Sequence, residues 1–183
     1  LQEALRVLWQ ERPQVRLDWA VYQYRSQQIS LARAAALAGV TSYRDDGDGP
    51  VVRVRLNPDL YRGMVPLARQ ILLRHEITHA AQYAQPYRNV PIWLVEGTAE
   101  YLGYAGSGVP DTVVAASLLD DVRDGRLPRA LPGEEQFGFT RGEEGRRRAY
   151  ELSWAASRAI VDRYGVDRLF ALYAAVLDAD GPA

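Results

Sequence analysis

Apolar residues recur every three to four positions over most of this chain and every second position in a few short stretches. EALRVLWQ (3–10) puts Leu5, Leu8 and Trp9 on one helical face, and Pro13 closes it. VRLDWAVYQ (15–23) alternates, with Val15, Leu17, Trp19 and Val21 on one side, and predicts a half-buried strand. Residues 28–38 read as a helix ended by Gly39, VTSYR (40–44) as a short strand and DDGDG (45–49) as a hairpin turn. In VVRVRLN (51–57), Val52, Val54 and Leu56 face one way and Arg53 and Arg55 the other, the pattern of an edge or one-sided strand.

From Pro58 onward the period becomes helical. The spacing predicts a long helix over 64–84, with Pro66 tolerated in its first turn. Pro86 and Pro91 bracket a loop, IWLVEGTAEYLGY (92–104) follows as a helix, and GSGVP (106–110) as a loop. Residues 111–125 read as one helix with Asp111 as N-cap and Gly125 as its stop. Residues 126–142 are irregular, and 143–165 and 166–178 close the chain as two helices. The expectation is a single α+β domain over 1–183, with a sheet-containing part at about 1–85 and a helical part at about 86–183.

Composition narrows the function. With 183 residues and 48% hydrophobic content, the chain can bury an ordinary core. A net charge of −1 gives no footprint for nucleic acid or an acidic membrane surface. The absence of cysteine excludes disulfides, thiolate metal sites and thiol nucleophiles. No apolar run approaches the roughly 20 residues of a membrane span.

The chemistry concentrates in LLRHEITHAAQY (72–83), which holds both histidines of the chain, His75 and His79, with Glu76 beside the first. Residues four apart on a helix stand one turn apart on one face, so both imidazoles can reach one zinc ion. Glu76 is rotated by about 100° from His75 and suits a general base better than a ligand. The alternative is two ordinary helical histidines. Catalytic zinc takes three protein ligands, and with no third histidine the remaining one is expected to be a carboxylate. Glu96, in WLVEGTAEY (93–101), lies 17 residues past His79 among apolar neighbours, and Glu100 follows one turn later. This suits Glu96 as the third ligand and Glu100 as the partner of a ligand histidine. Two buried carboxylates on one face need a cation nearby.

HEITH followed by WLVEGTAEY resembles the gluzincin zinc metallopeptidases, and more narrowly the bacterial peptidase-MA-like domains. Together with YELSWAASRAIVDRYG, the similarity covers most of residues 50–178. It implies a zincin-like fold, with a small twisted sheet on the active-site helix and a helical lower half. It also implies zinc held by His75, His79 and Glu96, Glu76 as base and proton shuttle for the zinc-activated water, and Glu100 bonded to a ligand histidine. A tyrosine from a later helix often supports the oxyanion in that group. Tyr150 matches by position, with Tyr101, Tyr104 and Tyr83 as alternatives. VVRVRLN would be the strand beside the cleft, where a substrate peptide adds to the sheet. The implied partner is a peptide or protein substrate. Several such domains belong to larger secreted or membrane-anchored proteins, and the start at Leu1 suits an excised domain of that extracytoplasmic kind.

Two rival readings use the same metal: a zinc-binding pseudo-peptidase that holds a peptide without cutting it, and a structural zinc with no open position. Arg146–Arg148 after Glu143 and Glu144 read as a solvated face with paired charges, with recognition of a substrate carboxylate by Arg146 or Arg147 as the functional alternative. GYAGSG (103–108) follows a helix and reads as a loop near the cleft rim, not as a phosphate loop.

Overall fold

The computed structural model describes residues 39–45, 50–82, 90–138 and 142–179. The elements expected over 3–10, 15–23 and 28–38, most of the turn at 45–49 and Tyr83 lie outside them. Two strands, β1 (Gly39–Asp45) and β2 (Pro50–Leu56), pair antiparallel, with Thr41 opposite Val54. Among the described residues eight helices follow: α1 (Pro58–Gly63), α2 (Pro66–Gln82), α3 (Ile92–Tyr104), α4 (Asp111–Val114), α5 (Ala116–Arg123), α6 (Glu134–Phe137), α7 (Gly142–Tyr164) and α8 (Val166–Asp178). Among the described residues, the architecture is mostly helical with a small two-stranded sheet. No described helix is long and apolar enough to cross a membrane.

α3 is the central element. Leu94, Val95, Gly97, Thr98, Ala99, Glu100 and Gly103 are all buried, as expected for a helix covered on several sides. It packs against α2 on one side and α7 on another. Its apolar residues Leu94 and Val95 meet Leu169 of α8 and Ile160 and Val161 of α7. A separate cluster centred on Leu72 joins α2 to Leu56, Tyr61 and Met64. Leu72, Leu94 and Leu169 are fully buried, and each contributes about 1.5–3 kcal/mol.

Two glycines let α3 approach its neighbours. A Cβ on Gly97 would collide with the Ser153 carbonyl oxygen and stand 2.7 Å from Ser157 Oγ, both on α7. A Cβ on Gly103 would meet the Ile71 carbonyl oxygen of α2 at 3.2 Å. Small residues on these faces bring the α2 and α7 backbones close to α3, so side chains of all three helices meet at one level.

Three expectations need correction. The segment 111–125 is two helices broken at Ala115, and Pro110, not Asp111, occupies the N-cap position. The buried Glu151 carboxylate on α7 accepts from Leu118 N at 2.7 Å and so serves the free amides that open α5. In β2, Val54 lies on the same face as Val52 and Leu56 but is 37% exposed, so that face is only partly covered. α2 packs chiefly on β1 and reaches β2 mainly where Leu56 meets Leu72. Of the two strands, β1 packs more closely on α2.

Candidate metal centre

The buried face of α2 runs Leu72, His75, Glu76, His79, Gln82 and is apolar only at its start. Buried polar groups need partners, and α3 supplies them. Glu96, Glu100 and Gly103 form one stripe of α3 at helical spacing, facing α2. His75 Nε2 lies 3.6 Å and His79 Nε2 3.3 Å from the same Glu96 oxygen, Oε2. The two Nε2 atoms are 2.9 Å apart. Three donor atoms thus converge on one point, as the spacing of HEITH and Glu96 predicts.

Each histidine is held from behind. His75 Nδ1 faces Glu100 Oε1 at 3.5 Å. His79 Nδ1 contacts Gln82 Oε1 at 2.8 Å, while Gln82 Nε2 donates to the Val95 carbonyl at 3.0 Å. A carbonyl can only accept, so the amide nitrogen of Gln82 must face Val95 and its oxygen must face His79. His79 Nδ1 is then the donor, which leaves Nε2 as the nitrogen that faces the cluster and can ligate once its proton is displaced.

Without a metal, the short Nε2–Nε2 contact needs one shared proton, and a metal cation could take its place between the two imidazoles and the carboxylate. Glu96 Oε2 is buried, and its polar neighbours are the two imidazole nitrogens. In tetrahedral zinc sites with bonds of about 2.0–2.1 Å, neighbouring donors stand about 3.3–3.4 Å apart. The separations of 2.9, 3.3 and 3.6 Å straddle that value. His75, His79 and Glu96 could therefore hold a metal ion, and two imidazoles with one carboxylate fit zinc.

In the metal-free site, burial and mutual charge set the two imidazoles apart. Burial opposes charge on His79, but the Glu96 carboxylate and the hydrogen bonds of Glu96 and Gln82 outweigh it and push His79 up to about 9. Burial, reinforced by the His79 charge, pushes His75 down to about 3. The metal-free pair thus carries one proton between two rings. Burial would raise Glu96, yet the charge and hydrogen bond of His79 hold it below the ordinary carboxylate range. Glu100, buried beside Glu96, is pushed up to about 8.

Glu76 stands outside the donor cluster. Its Oε2 accepts a 2.6 Å hydrogen bond from the Thr41 hydroxyl of β1, which also lies 3.0 Å from the Glu76 backbone oxygen. Burial raises the Glu76 carboxyl, and the Thr41 bond partly offsets this. Tyr150 belongs to the same neighbourhood. Burial, then the charges of Glu96 and Glu100, push its phenol above the ordinary range, while Arg146 pulls the other way. The Phe137 ring of α6 braces the Tyr150 ring edge-on, with centroids 5.1 Å apart.

Tyr101 and Tyr104 pack around Trp154 instead, and with Arg158 they line a cavity of about 200 Å³. Of the arginine run, Arg147 lies 3.9 Å from Glu151, and Arg148 pairs with Glu144 and Asp121 at 2.9 and 3.1 Å. Sequence reasoning missed Gln82, Thr41 and Glu151. Only Gln82 left a signal, since it lies three residues past His79 on the same helical face.

No family model matches this chain, and no solved structure matches it. A stretch of the chain is 46% identical over 48 residues to a UPF0175 protein of Halobacterium salinarum, covering 25% of this chain and 49% of that protein. The chain spans about half the length of that curated relative.

Proposed function

We propose that this chain is a zinc-dependent metallopeptidase domain with a zincin-like fold, of the gluzincin kind, acting on a peptide or protein substrate. The observation that carries this reading is the convergence of His75 Nε2, His79 Nε2 and Glu96 Oε2, with Glu76 left out of the donor set and hydrogen-bonded to Thr41. A bare structural site has no use for a buried carboxylate next to a ligand and outside the cluster.

Zinc held by His75, His79 and Glu96 would supply Lewis-acid polarisation of a carbonyl and lower the pKa of water toward about 7. Glu76 receives the proton on its carboxylate and delivers it to the leaving amine. The raised Tyr150 phenol keeps its proton at neutral pH and can donate to the oxyanion that develops on the scissile carbonyl. Gln82 and Glu100 hold the two imidazoles in the ligating tautomer.

The test is Glu76→Gln in the zinc-loaded chain, assayed on a peptide library beside wild type. Hydrolysis is expected to fall by at least about a thousandfold with zinc content unchanged. A zinc-loaded wild type that binds peptides and cleaves none would replace this reading with a peptide-binding module.

A further inference from the structure

We propose that Thr41 is the positioning residue for Glu76, with its hydroxyl fixing the carboxylate so that one oxygen is held and the other is left for proton transfer. The inference rests on the metallopeptidase reading. Glu76 follows a ligand directly, and its three side-chain torsions would also let the carboxylate turn into the donor cluster. The 2.6 Å bond from Thr41 removes that freedom, and the pair is closed from water, with Thr41 8% and Glu76 3% exposed. A hydroxyl has one proton, and the shorter contact with the acidic oxygen takes it in preference to the backbone oxygen at 3.0 Å.

The identity of residue 41 supports the assignment. Valine has nearly the same shape and an equal liking for strands, and a buried strand position has no need of a hydroxyl unless that hydroxyl has work at its partner. Here the partner lies 35 residues away on another element, so the bond also ties β1 to the site helix. The sheet is thereby connected to the proton-transfer group and not only to the scaffold.

The experiment compares wild type, Thr41→Val and Thr41→Ser in the zinc-loaded chain, using the library peptide that wild type cleaves best. Thr41→Val is expected to lower kcat about 10–100-fold, with KM and zinc affinity within about twofold of wild type, and Thr41→Ser to restore most of the loss. Thr41→Ala repeats the comparison if the valine does not fold. Melting of the metal-free protein gives an independent reading. Thr41→Val should cost at least about 2 °C with Glu76 present and little in a Glu76→Ala background. Coupled melting with unchanged kcat overturns the proposal and leaves Thr41 as a tie between strand and helix. Uncoupled melting overturns it outright. A zinc-loaded wild type without turnover removes the metallopeptidase reading and this role with it, whereas the melting cycle still reports whether the bond exists.

Discussion

The Val95 carbonyl accepts a hydrogen bond from the Gln82 side-chain amide at 3.0 Å, and this contact requires His79 Nδ1 to carry a proton toward Gln82. A backbone carbonyl of α3 thus sets the protonation of a candidate ligand on α2 through the Gln82 side chain. Gln82→Leu keeps the volume and removes both bonds. It should weaken zinc binding about 10–100-fold while the protein stays folded, as a competition titration against a chromogenic chelator would read. Glu96→Ala, which removes a donor atom, should weaken it far more. Equal losses in the two variants would show that Glu96 is not a ligand.

The close approach of α3 and α7 at Gly97 makes a stability prediction that needs no metal. Gly97→Ala must displace the Ser153 backbone or the α3 axis and should cost about 1–3 kcal/mol. Gly63→Ala meets nothing within 4 Å and should be tolerated. Thermal unfolding of the two variants separates them, and equal melting temperatures would mean that α3 and α7 do not pack as described.

Metal binding should depend on pH in a direction fixed by His79. With its pKa raised to about 9, the metal-free site holds a proton at neutral pH, and the metal must displace it. Protons therefore compete with the metal as pH falls, and affinity should rise by roughly tenfold per unit between pH 6 and 8. Calorimetry in buffers of different ionisation enthalpy should find about one proton released per zinc bound at pH 7. A flat affinity profile without proton release would contradict the shared-proton description.

Much of the donor set was legible because its members lie on two helices at helical spacing. HEITH needs only the rise of one turn, and α3 begins and ends at Ile92 and Tyr104, where the pattern placed it. What remained hidden depends on tertiary partners. Asp111 resembles an N-cap in any local reading, and the break at Ala115 has its counterpart in Glu151, whose carboxylate arrives from α7 to serve the start of α5. The alternation in VVRVRLN predicts a buried face that α2 covers only at one end. Thr41 is one ordinary strand threonine until the strand is laid against Glu76.

The central claim is that His75, His79 and Glu96 hold zinc. The most direct measurement is metal content by plasma mass spectrometry on untagged protein purified without chelator, beside the Glu96→Ala variant. The account predicts about one zinc per chain in wild type and a large loss in the variant. A folded wild type that takes up no zinc after dialysis against it would contradict the account.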